Sequence, residues 1–156
     1  MSDLKNSVAI FVDADACPVK REVYRVAQRH SLTVYVVSNS VITVPCEPGF
    51  HRVVVGSEPD AADDWIAQRV DRRHIVVTSD VPLASRCVKA GALVLGPNGR
   101  PFTEDAIGLA LATRNLLTDL RAAGMVTRGP KPLSASDRSK FLSALHEAVV
   151  FLSRTN

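Results

Sequence analysis

The strongest constraint on the fold is an alternation. Short apolar, β-branched runs recur through the first two thirds of the chain, most of them followed by a stretch with helical spacing. SVAIFVD (Ser7 to Asp13), LTVYVVS (Leu32 to Ser38), RVVVG (Arg52 to Gly56), HIVVTS (His74 to Ser79) and ALVLG (Ala92 to Gly96) each have the length and composition of a strand. Pro18 opens a helical stretch to about His30, with Val19, Val23, Val26 and Ala27 on one face. Pro59 opens another to about Asp71, where a missing N–H is harmless. Pro82 to Ala90 is a third, closed by Gly91. Residues 39–51, with Pro45, Pro48 and Gly49, read as loop. This order predicts an α/β fold with a mostly parallel sheet of about five strands, helices on both faces and right-handed crossovers.

After the PNGRP turn (Pro97 to Pro101) the pattern becomes helical. Thr103 to Ala123 reads as a long helix closed by Gly124, followed by a polar GPKP segment. A last helix runs from about Ser136 to Ser153, with Leu142, Leu145, Val149 and Leu152 at helical spacing. The 156 residues divide into a sheet core over 1–100 and a helical part over 101–156, together one domain. A chain of this size buries a core without covalent staples. The three cysteines, Cys17, Cys46 and Cys87, contain no C-x-x-C and suit free thiols. No apolar stretch is long enough to cross a bilayer, and the first apolar run is broken by Asp13, so it reads as a strand rather than a signal peptide. A cytoplasmic protein with no membrane partner is the expectation. Residues 1–99 carry eleven basic and eleven acidic residues, so the +3 excess sits entirely in 100–156, with eight against five. That modest bias permits RNA or another phosphate-bearing partner without demanding one.

Ligands of open parallel sheets bind beyond the carboxyl ends of the strands. Asp13 ends the first strand, and Asp15 follows two residues later. Asp80 directly follows the fourth strand, and Asp60, Asp63 and Asp64 open the helix after the third. Acids distant in sequence should therefore meet on one rim. On the third-strand helix, Ala62, Trp65, Ile66 and Val70 set the apolar side; Asp63 borders it, Asp60 shares the face of Asp63, and Asp64 points toward solvent. Two like charges about 4 Å apart repel by about 4 kcal/mol at an effective dielectric near 20. Such a group either protonates, with raised pKa values, or collects a cation. Carboxylates with no His or Cys partner favour Mg2+ or Mn2+, which would activate water against a phosphodiester. Asp at strand ends and helix starts also serves as a plain cap; Asp13, directly ending a buried strand, is the hardest to explain that way.

The strings FVDADACPVK (Phe11 to Lys20), DAADDWIA (Asp60 to Ala67), VVTSDVPLA (Val76 to Ala84), KAGALVL, PNGRPFT and GPKPLSASDR resemble the YaiI/YqxD family of uncharacterised bacterial proteins over nearly the whole chain. That family resembles PIN-like domains, three-layer parallel-sheet folds whose nucleases bind magnesium or manganese on clustered acids and cut RNA or DNA. The resemblance implies Asp13 as the strand-one acid, Asp60 or Asp63 as the helix acid and Asp80 as the later acid, with Asp15 matching the second acid of the family's DAD motif; the candidate catalytic residues are Asp13 and Asp80, and the candidate metal ligands Asp13, Asp15, Asp60, Asp63 and Asp80. Two departures stand out: Asp rather than Glu at the helix position, and Arg128-Gly129-Pro130 where the family commonly has a double glycine before the proline.

Other residues reach the same rim. Lys20 begins the first helix, Asn39 follows the second strand, Ser79 precedes Asp80, and Arg114 lies on the long helix; these are the candidate substrate-binding residues. Cys17 reads as a small buried filler. The leading function is a metal-dependent phosphodiesterase, with RNA favoured over DNA. The alternative from another class is a non-catalytic module that keeps the acidic pocket for a metal or ligand. A third is a phosphatase of the haloacid-dehalogenase type, because D-x-D after an apolar strand resembles its nucleophile motif; it ranks lower, since that type has its Lys before a later acidic pair and here Asp63-Asp64 precede Lys89.

Overall fold

The computed structural model describes residues 8–109, 111–113 and 133–155. Strands β1 (Ala9–Asp13), β2 (Thr33–Ser38), β3 (Phe50–Val54), β4 (His74–Val77) and β5 (Leu93–Leu95) form one sheet in the order β3-β2-β1-β4-β5. Every pairing in it is parallel. Helices α1 (Lys20–His30), α2 (Ala61–Ala67), α3 (Val81–Lys89) and α4 (Ala135–Thr155) accompany it, and a 3-10 turn, Ala14–Ala16, follows β1. Residues 104–109 and 111–113 are helical. The remainder of the predicted long helix, with Gly124 and the GPKP segment, lies outside the described residues.

Alternation along the strands sorts side chains into two cores. Ile10, Val12, Val34, Val36, Ile75 and Val77 face α1 and α4, where they meet Val23, Phe141, Leu145 and Val149. Ala9, Phe11, Val37 and Val76 face α2 and α3 and meet Ile66, Leu83 and Cys87. Both sheet faces are thus covered, as near-continuous apolar strands require. The β2–β3 connection carries no helix. Its Ile42 and Val44 pack partly against the α1-side core and do the covering that a crossover helix would do.

Several boundaries differ from the sequence pattern for local reasons. β3 starts two residues early, because Phe50 pairs with Val34 and sets its ring edge-on to Tyr24 at 5.6 Å. α2 stops at Ala67 rather than near Asp71, whose carboxylate instead takes the Arg73 backbone N–H at 2.8 Å and the Arg73 guanidinium at 2.8 Å. That turn leads into β4. α4 opens on a reciprocal cap: Asp137 N–H donates to Ser134 Oγ and Ser134 N–H to Asp137 Oδ2, both at 3.1 Å. Gly99 explains the PNGR turn. It has φ +86, and a Cβ there would lie 2.8 Å from the Lys140 carbonyl oxygen. Only glycine lets this turn close onto α4.

The topology fixes where a ligand can sit. From β1 the chain moves outward to β2 and β3, then crosses back over β1 to β4 and β5. The switch point lies between β1 and β4, at their carboxyl ends.

Candidate active site

Asp13 shares the parity of Ala9 and Phe11 and therefore points to the α2/α3 side. It ends a strand whose five residues are all buried, and is itself 5% exposed. One step past the Val12–Val77 pair on the neighbouring strand stands Thr78, also fully buried. Its hydroxyl donates to Asp13 Oδ2 at 2.8 Å and accepts from the Asp80 N–H at 2.9 Å. Burial pushes the Asp13 carboxyl above its usual range; the Thr78 bond opposes this, and the charges of Asp80 and Asp15 add to it.

The other acids arrive on short connections at the same edge. Asp80 caps α3, accepting the Leu83 N–H at 3.0 Å, with Pro82 in the first turn. Asp15 sits in the 3-10 turn, where its carboxylate accepts the Asn39 N–H at 3.1 Å. Asp63 lies in the first turn of α2. Its carboxyl is pushed up to about 6, chiefly by burial and then by Asp80, Asp13 and Asp60, against a smaller pull from Arg86. Asp13, Asp15, Asp63 and Asp80 line one open cavity of about 200 Å³, together with Asn39 and Glu58.

The remaining sequence candidates fall elsewhere. Asp60 is exposed, makes no capping bond and does not line this cavity; it acts on Asp63 through its charge. Asp64 turns outward to an ion pair with Arg86 at 2.7 Å. Ser79 does not line the cavity either. Its N–H and hydroxyl both donate to the Ala16 carbonyl, at 3.2 and 3.0 Å, and tie the 3-10 turn to the end of β4. Lys20 Nζ donates to the Cys17 carbonyl at 3.0 Å and lines a different cavity. Arg114 lies outside the described residues. Cys17 is buried, and burial pushes its thiol up to about 11, the environment of a packing residue rather than a nucleophile.

Sequence reasoning missed two contributors. Thr78 was visible as the residue that alternation aims, like Asp13, at the α2/α3 side. Glu58 lies just past β3 on the same rim, one residue before the point where the helix was taken to begin.

Among the described residues, no basic side chain lines the acidic cavity. Among the described residues, no group of three or more His, Cys, Asp or Glu side chains stands placed to hold a metal ion. In kind, the donors fit a hard divalent cation: they are all carboxylate oxygens. The carboxyls of Asp13 and Asp63 are raised chiefly by burial and then by the neighbouring acids, whose repulsion such a cation would relieve.

Comparison with known proteins places the chain. Residues 11–150 match the profile of a family described as "Uncharacterized BCR, YaiI/YqxD family". The chain belongs to the YaiI/YqxD family. A UPF0178 protein of Azorhizobium caulinodans is 60% identical over 154 residues, 99% of this chain and 97% of the relative. UPF0178 proteins of Bradyrhizobium diazoefficiens and Nitrobacter winogradskyi are 61% and 57% identical, over 90% and 92% of this chain and 84% and 91% of their own. No solved structure matches the chain. All the acids of the cavity fall inside the span that this YaiI/YqxD protein shares with its family profile. No helix among the described residues is long and apolar enough to cross a membrane.

Proposed function

We propose that this protein is a divalent-metal-dependent nuclease that hydrolyses phosphodiester bonds, with RNA as its substrate. The observation that carries the reading is the convergence of Asp13, Asp15, Asp63 and Asp80, from three separate connections, on one small cavity at the switch point, with no basic residue among the described residues that line it. The sheet order and the position of these acids are consistent with the PIN-like fold that the family resembles.

Asp13, Asp63 and Asp80 would hold Mg2+ or Mn2+, with Asp15 at the rim. When bound, the ion supplies an activated water and stabilises charge on the phosphate oxygens. Thr78 holds Asp13 in one orientation and couples it to the start of α3. Asp63, whose carboxyl is raised chiefly by burial, would have to be deprotonated to hold the cation. Asn39 lines the cavity, and its side-chain amide would be the donor to a phosphate oxygen. A phosphatase mechanism through Asp13 ranks lower, because the Asp63-Asp64 pair precedes Lys89 rather than following it.

The test is cleavage of single-stranded RNA in manganese. Wild type should cleave, and Asp13→Asn should lose at least about a hundredfold in rate. Manganese binding by calorimetry without turnover on RNA or DNA would instead favour the non-catalytic binding module.

A further inference from the structure

A second cavity begins at Cys17, the residue after Ala16 of the acidic lining. It has a volume of about 440 Å³, and its wall is formed by Cys17, Pro18, Lys20, Arg21, Glu22 and Arg138. Lys20, Arg21 and Glu22 make the first turn of α1, which has no capping side chain. Arg138 comes from the first turns of α4, which the Ser134–Asp137 cap sets in place. One guanidinium nitrogen of Arg138 donates to the Pro18 carbonyl at 3.0 Å and lies 3.4 Å from Glu22 Oε1.

Three cations against one carboxylate leave this cavity positive. Glu22 is the less available partner. Its side chain is 14% exposed and engaged with Arg138, and its Oε2 is buried with no hydrogen-bond partner. Its Oε1 lies against the Arg138 guanidinium. Arg21 is exposed, and the side chain of Arg138 is 42% exposed. The open amides of the α1 N-terminus add positive partial charge.

The two cavities have opposite sign and meet at consecutive residues: Ala16 lines the acidic one and Cys17 the basic one. A lone phosphate ester has use for only one of them. A strand with successive phosphates, one of them accompanied by a divalent ion, answers both.

We infer that the basic cavity binds the phosphate next to the scissile one, so that the substrate is a polynucleotide strand crossing at Ala16 and Cys17 with Lys20, Arg21 and Arg138 on the neighbouring phosphate. The inference rests on the nuclease reading of the acidic cavity.

The experiment measures binding of a single-stranded RNA hexamer in EDTA by fluorescence anisotropy over a range of salt, for wild type, Arg21→Ala, Arg138→Ala and Arg138→Lys. The expected result is that wild type binds and that each alanine variant binds more weakly, with the slope of log K against log salt reduced by about 0.7–1. Arg138→Lys should keep most of that slope. Arg21 lies on the exposed side of α1, so its variant stays informative should Arg138→Ala fail to fold. Three results would overturn the inference: no hexamer binding by wild type, wild-type affinity and slope in Arg21→Ala and Arg138→Ala, or equal losses for a nucleoside triphosphate and the hexamer. Manganese-induced thermal stabilisation reads the acidic cavity separately. If it is absent from wild type while the arginine effects persist, the nuclease reading falls and the basic site stands. If it is present and the arginine variants match wild type, the basic site alone falls.

Discussion

Replacing Asp63 with Asn should make the protein more stable at neutral pH. In the folded chain the Asp63 carboxyl is pushed from 3.8 to about 6 by burial and by Asp80, Asp13 and Asp60. In the unfolded chain it titrates near its ordinary value of about 3.9. The native state therefore holds the Asp63 proton more tightly. Below pH 3.8 both states are protonated and the residue costs nothing; as pH rises toward 6 stability is lost, and above 6 the full cost applies. Two pKa units correspond to about 3 kcal/mol. The side chain is only partly buried, and Asn forgoes the attraction between a carboxylate and the first turn of α2, about 0.3–1 kcal/mol. A net gain of about 1–2 kcal/mol at pH 7.5 remains. In a domain of this size that raises Tm by about 2–8 °C. Calorimetric melts of both proteins at pH 7.5 and pH 3 check this, and the gain should vanish at the lower pH. Loss of stability at pH 7.5, or an equal gain at both pH values, would refute the claim that burial and the neighbouring carboxylates strain the ionised Asp63.

Thr78→Val keeps the side-chain shape but strips Asp13 of the Thr78 hydroxyl donor and the Asp80 N–H of its acceptor. It should cost about 1–3 kcal/mol in urea unfolding, and a change below 0.5 kcal/mol would show that Thr78 is incidental. Gly99→Ala should destabilise by more than about 1 kcal/mol, because the residue has φ +86 and its Cβ would press on the Lys140 and Phe141 backbone. Thermal melts of the two proteins decide it, and an unchanged Tm would mean that the turn can back away from α4.

The sheet was legible because its strands are buried on both faces. Five runs of Val, Ile and Leu leave few other arrangements, and Asp13 stood out as the one charge that ends such a run. Convergence of the acids followed from topology alone, since every connection after a parallel strand starts at one edge. Finer placement did not follow. Asp60 and Asp63 share a helix face by spacing, yet the chain enters α2 from Pro59, so the turn that buries Asp63 leaves Asp60 in solvent. The end of α2 depended on Asp71, Arg73 and His74 forming a closed turn, which periodicity does not encode. Arg138 was out of reach of sequence reasoning for another reason. Its position beside α1 depends on how α4 docks against the sheet, through Phe141 and Leu145, and nothing local to SASDR signals that packing.

The central claim is that carboxylates remote in sequence form one cation site. Manganese soaked into a crystal of the wild-type protein, located by its anomalous scattering, tests it most directly. The account expects a peak in the cavity bounded by Asp13, Asp63 and Asp80, lost in Asp13→Asn. A cavity left empty at saturating manganese, or a peak confined to a surface acid such as Asp71, would contradict it.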